Sequence, residues 1–261
     1  ADDDELLRLM TEANFVSVFV GIETPNEASL RETKKLQNLR GTRSLVDKVH
    51  AIQGAGLEVW CGLIVGFDHD DPGVLDLQES FVDAARISHA MIGMLAAIPK
   101  TPLHARLAAA GRLDESGAAE FGTNVIPVGI SRADLRDGYL RLLTRLHEPE
   151  AWFDRLDRLY LTGGFRFSLP RSTHLRRRPW RRLLAGAAEL IQATAIILRL
   201  MLHVDDPALR RTYRRRILNL ARHRPEPVVI FAYAVKCLFH FHQYTFSREM
   251  RSGRSRLINT I

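Results

Sequence analysis

Cysteine is scarce: Cys61 and Cys237 are the only two in 261 residues. That excludes a disulfide framework and any metal site built of cysteines alone within this chain. Cys61 falls inside an apolar run, where a free thiol serves as a small hydrophobe. Uninterrupted apolar stretches of about 20 residues are missing as well. Leu183–Val204 is broken by Glu189, Gln192 and Arg199, and Val228–Tyr244 by Lys236 and His240, so neither reads as a transmembrane span. No secretory signal pattern is read, and a cytoplasmic setting is the expectation. The chain starts at Ala1 and runs straight into Asp2-Asp3-Asp4-Glu5-Leu6-Leu7, already helical in character, as expected of a piece of something longer. Acid is short in the back: residues 161–261 hold 20 Lys and Arg against 5 Asp and Glu, a net +15, whereas residues 1–160 carry 17 against 25, a net −8. Such asymmetry points to two units with different partners, the basic one facing phosphate of some kind.

What is present suffices for a core, with 46% hydrophobic and 26% charged residues. Residues 3–13 read as a helix, and Phe15–Ile22 as a strand ending at Glu23-Thr24-Pro25. Asn26–Gln37 and Ser44–Gly54 follow as helices. Leu57–Phe67, almost wholly apolar and β-branched, reads as a strand buried on both faces. It breaks into acids, with Asp71 as a helix cap and Pro72 as the first residue of a helix to Arg86. Ala90–Ile98 is the next strand, and Leu103–Gly111 the helix after it. Successive strand–helix units predict a parallel sheet with right-handed crossovers, whose ligands are held at the carboxyl ends of the strands. Gly62 and Gly66 either relieve crowding in that sheet or admit a flat ligand near the strand end.

Residues 111–130, rich in glycine, read as a loop or lid with an extended piece at Thr123-Asn124-Val125-Ile126-Pro127. Ser131 opens a helix with Leu135, Tyr139, Leu142, Leu143 and Leu146 on one side, and Pro149–Tyr160 is another. Beyond Gly163-Gly164 come an arginine-dense stretch, Arg171–Arg182, then the long apolar helix Leu183–Val204, the basic helix Pro207–Arg224 and the apolar Val228–Tyr244. No metal-ligating set is expected. His240 and His242 are two apart and point to different sides of a helix. Asp68, Asp70 and Asp71 lack the spacing of a calcium loop and read as capping acids. Lys34-Lys35 reads as a solvated face.

Three segments in order, Phe19-Val20-Gly21-Ile22-Glu23-Thr24-Pro25, Gly62-Leu63-Ile64-Val65-Gly66-Phe67-Asp68 and Ala97-Ile98-Pro99-Lys100-Thr101-Pro102-Leu103, resemble the second half of a radical S-adenosylmethionine (SAM) barrel. Within that superfamily the series is similar to the cobalamin-binding group that includes the hopanoid C-2 methylases. Gly122-Thr123-Asn124-Val125-Ile126-Pro127, Gly138-Tyr139 and Trp152-Phe153-Asp154-Arg155 resemble the helical domain of unknown function, numbered 4070, that trails the barrel there. The resemblance covers residues 1–160 and thins out beyond them. It implies an α/β fold: strands 4 to 6 of a partial (β/α)6 TIM-type barrel over residues 1–112, a loop and helices of the trailing domain over 113–165, and an all-α, basic tail over 166–261.

The family's chemistry is a SAM cleavage that abstracts hydrogen from an unactivated carbon and, with cobalamin, transfers a methyl group to it. The cofactors so implied are SAM, a [4Fe-4S] cluster and cobalamin. The CxxxCxxC cluster motif is absent here, and the cobalamin domain would lie before Ala1, so the chain alone is expected to be inert and no catalytic residue is assigned. By resemblance, Glu23 would hydrogen-bond the SAM methionine or ribose. Gly62, Ile64 and Gly66 match the fifth-strand GxIxGxxE pattern, with Ile64 against adenine. His69 stands where that pattern has its acid, with Asp68 adjacent. Ile98 would lie with its backbone near the adenine. Each of these positions also has an ordinary reading, Glu23 as a loop acid and Ile64 and Ile98 as core. The expected partner is a small-molecule or lipid substrate. The basic tail is read either as a peripheral contact with anionic lipid at the inner face of the membrane or as a solvated face packed on the barrel. An RNA-binding helical module, or a tRNA-modifying enzyme of the same superfamily, is the lesser alternative, because few aromatics are interleaved with the arginines.

Overall fold

A computed structural model of the chain describes residues 3–39, 41–167 and 178–254. Two compact units divide it: Ala1–Val18 with His50–Glu58 and His147–Thr245, and Phe19–Val49 with Val59–Leu146 and Phe246–Ile261. The expected arginine-dense stretch lies outside the described residues as far as position 177.

The strands are β1 (Ser17–Glu23), β2 (Glu58–Val65) and β3 (His89–Met94), ordered β1-β2-β3 in a small parallel sheet. The register pairs Trp60 with His89, Gly62 with Met91 and Ile64 with Gly93. The helices α2 (Glu27–Glu32), α3 (Leu45–Gly54), α4 (Val74–Ala84) and α5 (Pro102–Ala109) connect and follow the strands, after an opening α1 (Asp4–Glu12). Side chains alternate across a pleated strand. On β2 the alternation is visible as Val59, Cys61, Leu63 and Val65, all fully buried, against Trp60 and Ile64, which remain partly open. The expected burial on both faces is therefore corrected in part: one face of β2 is packed and the other is half-open. On the half-open face Glu58 and Gly62 are buried while Trp60 and Ile64 are half-buried, Ile64 against the small core of Phe67, Leu95, Ala97, Leu107 and Val125.

Several expected boundaries shift for local reasons. The helix expected over Asn26–Gln37 is two pieces, α2 and a 3-10 turn at Leu36–Asn38. Lys34 adopts φ +58°, and the Lys34 and Lys35 N–H groups donate to Arg31 and Leu30 carbonyls, the paired bonds that close a helix end. Asp71 does not cap the next helix. Its Oδ1 accepts from Gly73 N–H at 2.8 Å in a local turn, and α4 starts at Val74, with Pro72 outside it. β3 stops at Met94 because Ala97 is claimed by a side chain: Asn124 accepts from its N–H and donates to its C=O, both at 2.9 Å. The loop over 111–130 is accordingly no free lid. Leu113 bridges Val125, Asp114 N–H donates to Asn124 C=O, a short α6 (Ala118–Phe121) is inserted, and Thr123 Oγ1 donates to Leu95 C=O at 2.5 Å. The following α7 (Arg132–Leu146) buries Leu135, Tyr139, Leu142, Leu143 and Leu146, with the Tyr139 hydroxyl donating to Ile92 C=O at 3.0 Å.

The other unit is helical. α8 (Pro149–Asp157) runs into a π turn at Arg158–Thr162, and α9 (Pro179–His203), α10 (Pro207–His223) and α11 (Pro227–Arg251) follow. Trp152, Phe153, Tyr160, Tyr213 and Tyr233 pack with Leu200, Val204, Leu220 and Cys237 into one core. Polar groups inside it are paired. Glu58 forms an ion pair with Lys236 and accepts from the Tyr160 hydroxyl at 3.2 Å, all three buried. Of the two histidines, His240 is buried: its Nε2 lies 3.0 Å from His147 C=O and must donate, so Nδ1 accepts from the Tyr213 hydroxyl at 2.7 Å. Burial lowers its pKa to about 3. Counted by average hydropathy and not by unbroken runs, α9 passes as long and apolar enough to cross a membrane, by length and composition only. Its polar residues are too dispersed along 25 positions to break the average.

Candidate functional site

The half-open face of the sheet is the place to look for chemistry, because the packed face has no room for a ligand. Period-two alternation and the register put Phe19, Gly21 and Glu23 of β1, Trp60, Gly62 and Ile64 of β2, and His89, Met91 and Gly93 of β3 on it. The Trp60 and His89 rings meet edge to face, with centroids 5.0 Å apart. Phe19 is 58% exposed, and its ring edge leans over Gly62: a β-carbon there would stand 3.2 Å from Phe19 Cζ. Glu23, the last residue of β1, has φ +67°. Its carboxylate folds back over Gly21, where a β-carbon would stand 2.9 Å from Oε1. Lys35 Nζ lies 2.9 Å from the same oxygen, so Lys35 is a partner of the site's carboxylate and not merely part of a solvated face. The result is an aromatic and aliphatic strip whose glycines make room for the Phe19 ring and the Glu23 carboxylate, with that carboxylate at the carboxyl edge.

Just past the strand ends the acids are occupied with one another's partners. Asp70, buried, receives Gly66 N–H at 2.9 Å and Phe67 N–H at 3.1 Å on Oδ2, and the Ser29 hydroxyl at 2.8 Å on Oδ1. Desolvation raises its pKa. Asp68 accepts from Arg112 at 2.5 Å and Arg106 at 2.8 Å, and these guanidiniums hold its carboxyl below the usual range. Glu32 of α2 accepts from Arg106, from Asp68 N–H and from the His69 ring. Asp68, Asp70 and Asp71 are thus loop-closing acids.

The candidate residues do not all share one role. Glu23, Gly62 and Ile64 lie together on the half-open face. Gly66 has φ +101°, gives its N–H to Asp70, and would place a β-carbon 3.0 Å from Leu135 Cδ2, so its lack of a side chain serves the turn and the packing with α7. Ile98 lies beyond β3, not within a sixth strand. It is 66% exposed, and its carbonyl accepts from Thr101 N–H and Oγ1 in the turn that opens α5. Sequence reasoning missed Phe19, Gly21, Trp60, His89 and Met91 as site residues. Extending the two-residue step from Gly62 would have found Trp60, but Met91 and His89 needed the register.

A cluster does not fit the residues present. Cys61 and Cys237 are both fully buried, Cys237 in the helical core with its thiol pKa pushed up by burial. Among the described residues, no three His, Cys, Asp or Glu side chains gather as metal ligands. What the face does offer is partly exposed apolar surface beside a carboxylate able to accept from hydroxyl or ammonium donors.

A parallel strand–helix front with a half-open, glycine-broken face and a helical back defines a class, and comparison with known proteins narrows it. Residues 101–256 match the family described as Domain of unknown function (DUF4070), and the chain belongs to that family. It is 40% identical over 167 residues to an uncharacterized methyltransferase of Synechocystis sp., covering 63% of this chain and 31% of that protein. It is 34% identical over 154 residues to the hopanoid C-2 methylase of Rhodopseudomonas palustris, covering 59% of this chain and 28% of that protein. The chain therefore spans about a third of the length of these relatives. No solved structure matches it.

Proposed function

We propose that this chain is the cofactor-closing and tail portion of a longer radical SAM methyltransferase, one that transfers a methyl group to an unactivated carbon of a small molecule or lipid. The observation carrying this reading is the half-open sheet face, on which Phe19, Trp60, Gly62, Ile64 and Glu23 converge. The kinship to proteins named as methyltransferases supports it. Here the base of SAM would rest on Ile64 beside Gly62, with Phe19 and Trp60 excluding water. Glu23 would accept from the ribose hydroxyls or the ammonium, its charge held in place by Lys35. Bound SAM would supply the methyl or radical chemistry, while these residues orient it and keep it dry. The cluster and any cobalamin would be held by other parts of the protein, and the chain by itself would bind without turning over.

The test uses the complete protein and S-adenosylhomocysteine as a non-reacting probe in titration calorimetry. Gly62→Leu, whose side chain displaces the Phe19 ring and intrudes on the strip, and Glu23→Gln, which removes the acceptor charge, are each expected to weaken binding about tenfold, or about 1.4 kcal/mol. Unchanged affinity in both, with the fold intact, would overturn the assignment of this face.

A further inference from the structure

Helix α9 is apolar on two sides, and only one of them is packed. Ala193, Leu200 and, just past its end, Val204 are buried, and Ile196, Ile197 and Met201 pack against the helical core. At 100° per residue the opposite side carries Trp180, Leu184, Ile191, Leu198 and Leu202, flanked by Leu183. All are exposed, Leu183 at 75%, Ile191 at 69% and Leu202 at 80%. Such a stripe runs about 33 Å along the helix, far more apolar surface than scattered exposed leucines. Along one border of it lie Arg181, Gln192, Arg199 and His203. Among the described residues, no acidic partner pairs with Arg181, Arg182 or Arg199, nor with Arg210, Arg211 or Arg214 on α10. Elsewhere the same unit does neutralise its arginines: Arg216 is bound by Glu150, Asp154 and Asp157.

We infer that α9 lies in the plane of an anionic lipid surface, its Trp180–Leu202 stripe inserted at the acyl boundary and its border arginines on lipid phosphates. The charge pattern selects this occupant. A second copy would bring the same unpaired arginines face to face, and a neutral apolar partner would leave them unanswered, whereas a phosphate layer above an acyl layer meets both halves at once. The packed Leu200 side explains why the helix lies along the surface and does not cross it. This inference stands on α9 and the arginines of α10 beside it in sequence, and does not rest on the cofactor reading of the sheet.

The test floats the whole chain with phosphatidylcholine vesicles, with or without phosphatidylglycerol, at low and high salt. Expected is binding to the anionic vesicles that weakens with salt, is abolished by Ile191→Glu, and falls about fivefold for each of Arg181→Gln and Arg199→Gln. Leu202→Glu, at a still more exposed position, serves should Ile191→Glu not fold. A folded chain, verified by circular dichroism, that binds neither vesicle overturns the inference. So does equal binding by the wild type and both glutamate variants, retention on RNA without vesicle binding, or a dimer that the glutamate variants dissociate while vesicles are ignored.

Discussion

Asp70→Ala is the sharpest perturbation of the sheet edge. In the wild type one carboxylate takes three donors, the Gly66 and Phe67 N–H groups on Oδ2 and the Ser29 hydroxyl on Oδ1. The truncation leaves two backbone donors in the interior, at about 1–3 kcal/mol each, while Ser29 can rotate toward another acceptor. The expected loss is about 3–5 kcal/mol, which at an m-value of about 3 kcal/mol/M moves the urea midpoint down by about 1 M or more. Asp70→Asn discriminates the cause. Its carbonyl oxygen can sit where Oδ2 receives both N–H groups, and its amide can donate to the Ser29 oxygen, so it should cost only about 1 kcal/mol. Amide exchange at Gly66 and Phe67 should accelerate in the alanine variant and stay slow in the asparagine variant. The pH dependence adds a signed check. Because burial raises the folded pKa of Asp70, the native state takes up a proton before the unfolded chain does. The wild type should therefore gain stability relative to Asp70→Asn as pH falls through that raised pKa, and the gain should level off near the unfolded value of about 3.9. An alanine variant within 1 kcal/mol of wild type, with unchanged exchange, would refute the reasoning.

Other positions give equally direct tests. Asn124→Ala removes the acceptor and the donor that hold buried Ala97 and should cost about 2–4 kcal/mol in urea unfolding. Lys236→Met takes away the ammonium facing buried Glu58, with an expected loss of about 3–5 kcal/mol that Glu58→Gln in the same chain largely restores; a double variant no better than the single one would show that the pair is not the cause. For His240, with a folded pKa of about 3, the unfolded chain takes up the proton first, so stability present above about pH 6.5 is lost as pH falls toward 3, at up to about 1.4 kcal/mol per pH unit. His240→Gln should flatten that slope in unfolding curves collected across the window.

The strand–helix order and the packed face of the sheet were legible because they follow from composition at two-residue and helical spacing: Leu63 and Val65 are as buried as their run suggests. The half-open face was not, because Trp60 and Ile64 are as apolar as their neighbours, and only their partial exposure distinguishes them. Likewise, the helix break at Lys34 has no glycine or proline to announce it. It is a lysine in the left-handed region, stabilised by bonds to Arg31 and Leu30 that exist only once the helix has formed. Asn124 offered no signal as the residue that ends β3, since its partner Ala97 lies 27 positions away. For α9, the sequence carried the apolar length, but which side is packed depends on residues of α8, α10 and α11.

The acids at the strand ends illustrate how function can be separated from scaffolding by counting partners. Glu32, Asp68 and Asp70 come from segments after β1 and β2, and their hydrogen bonds to Arg106, Arg112, Ser29 and the loop N–H groups join α2, the β2 loop and α5 into one rim. A ligand recruiting any of them would have to break those bonds, at about 1.5–3 kcal/mol for each charged one. Glu23 is different. Among the described residues its one charged partner is Lys35, a half-exposed side chain, whereas Asp68 is held by two guanidiniums at a similar exposure. A ligand hydroxyl or ammonium there has one charged contact to share or replace, against two at Asp68. The carboxylate with the fewest partners among these acids is also the one on the half-open face, which is why the proposed ligand role falls to Glu23 and not to the acids of the rim.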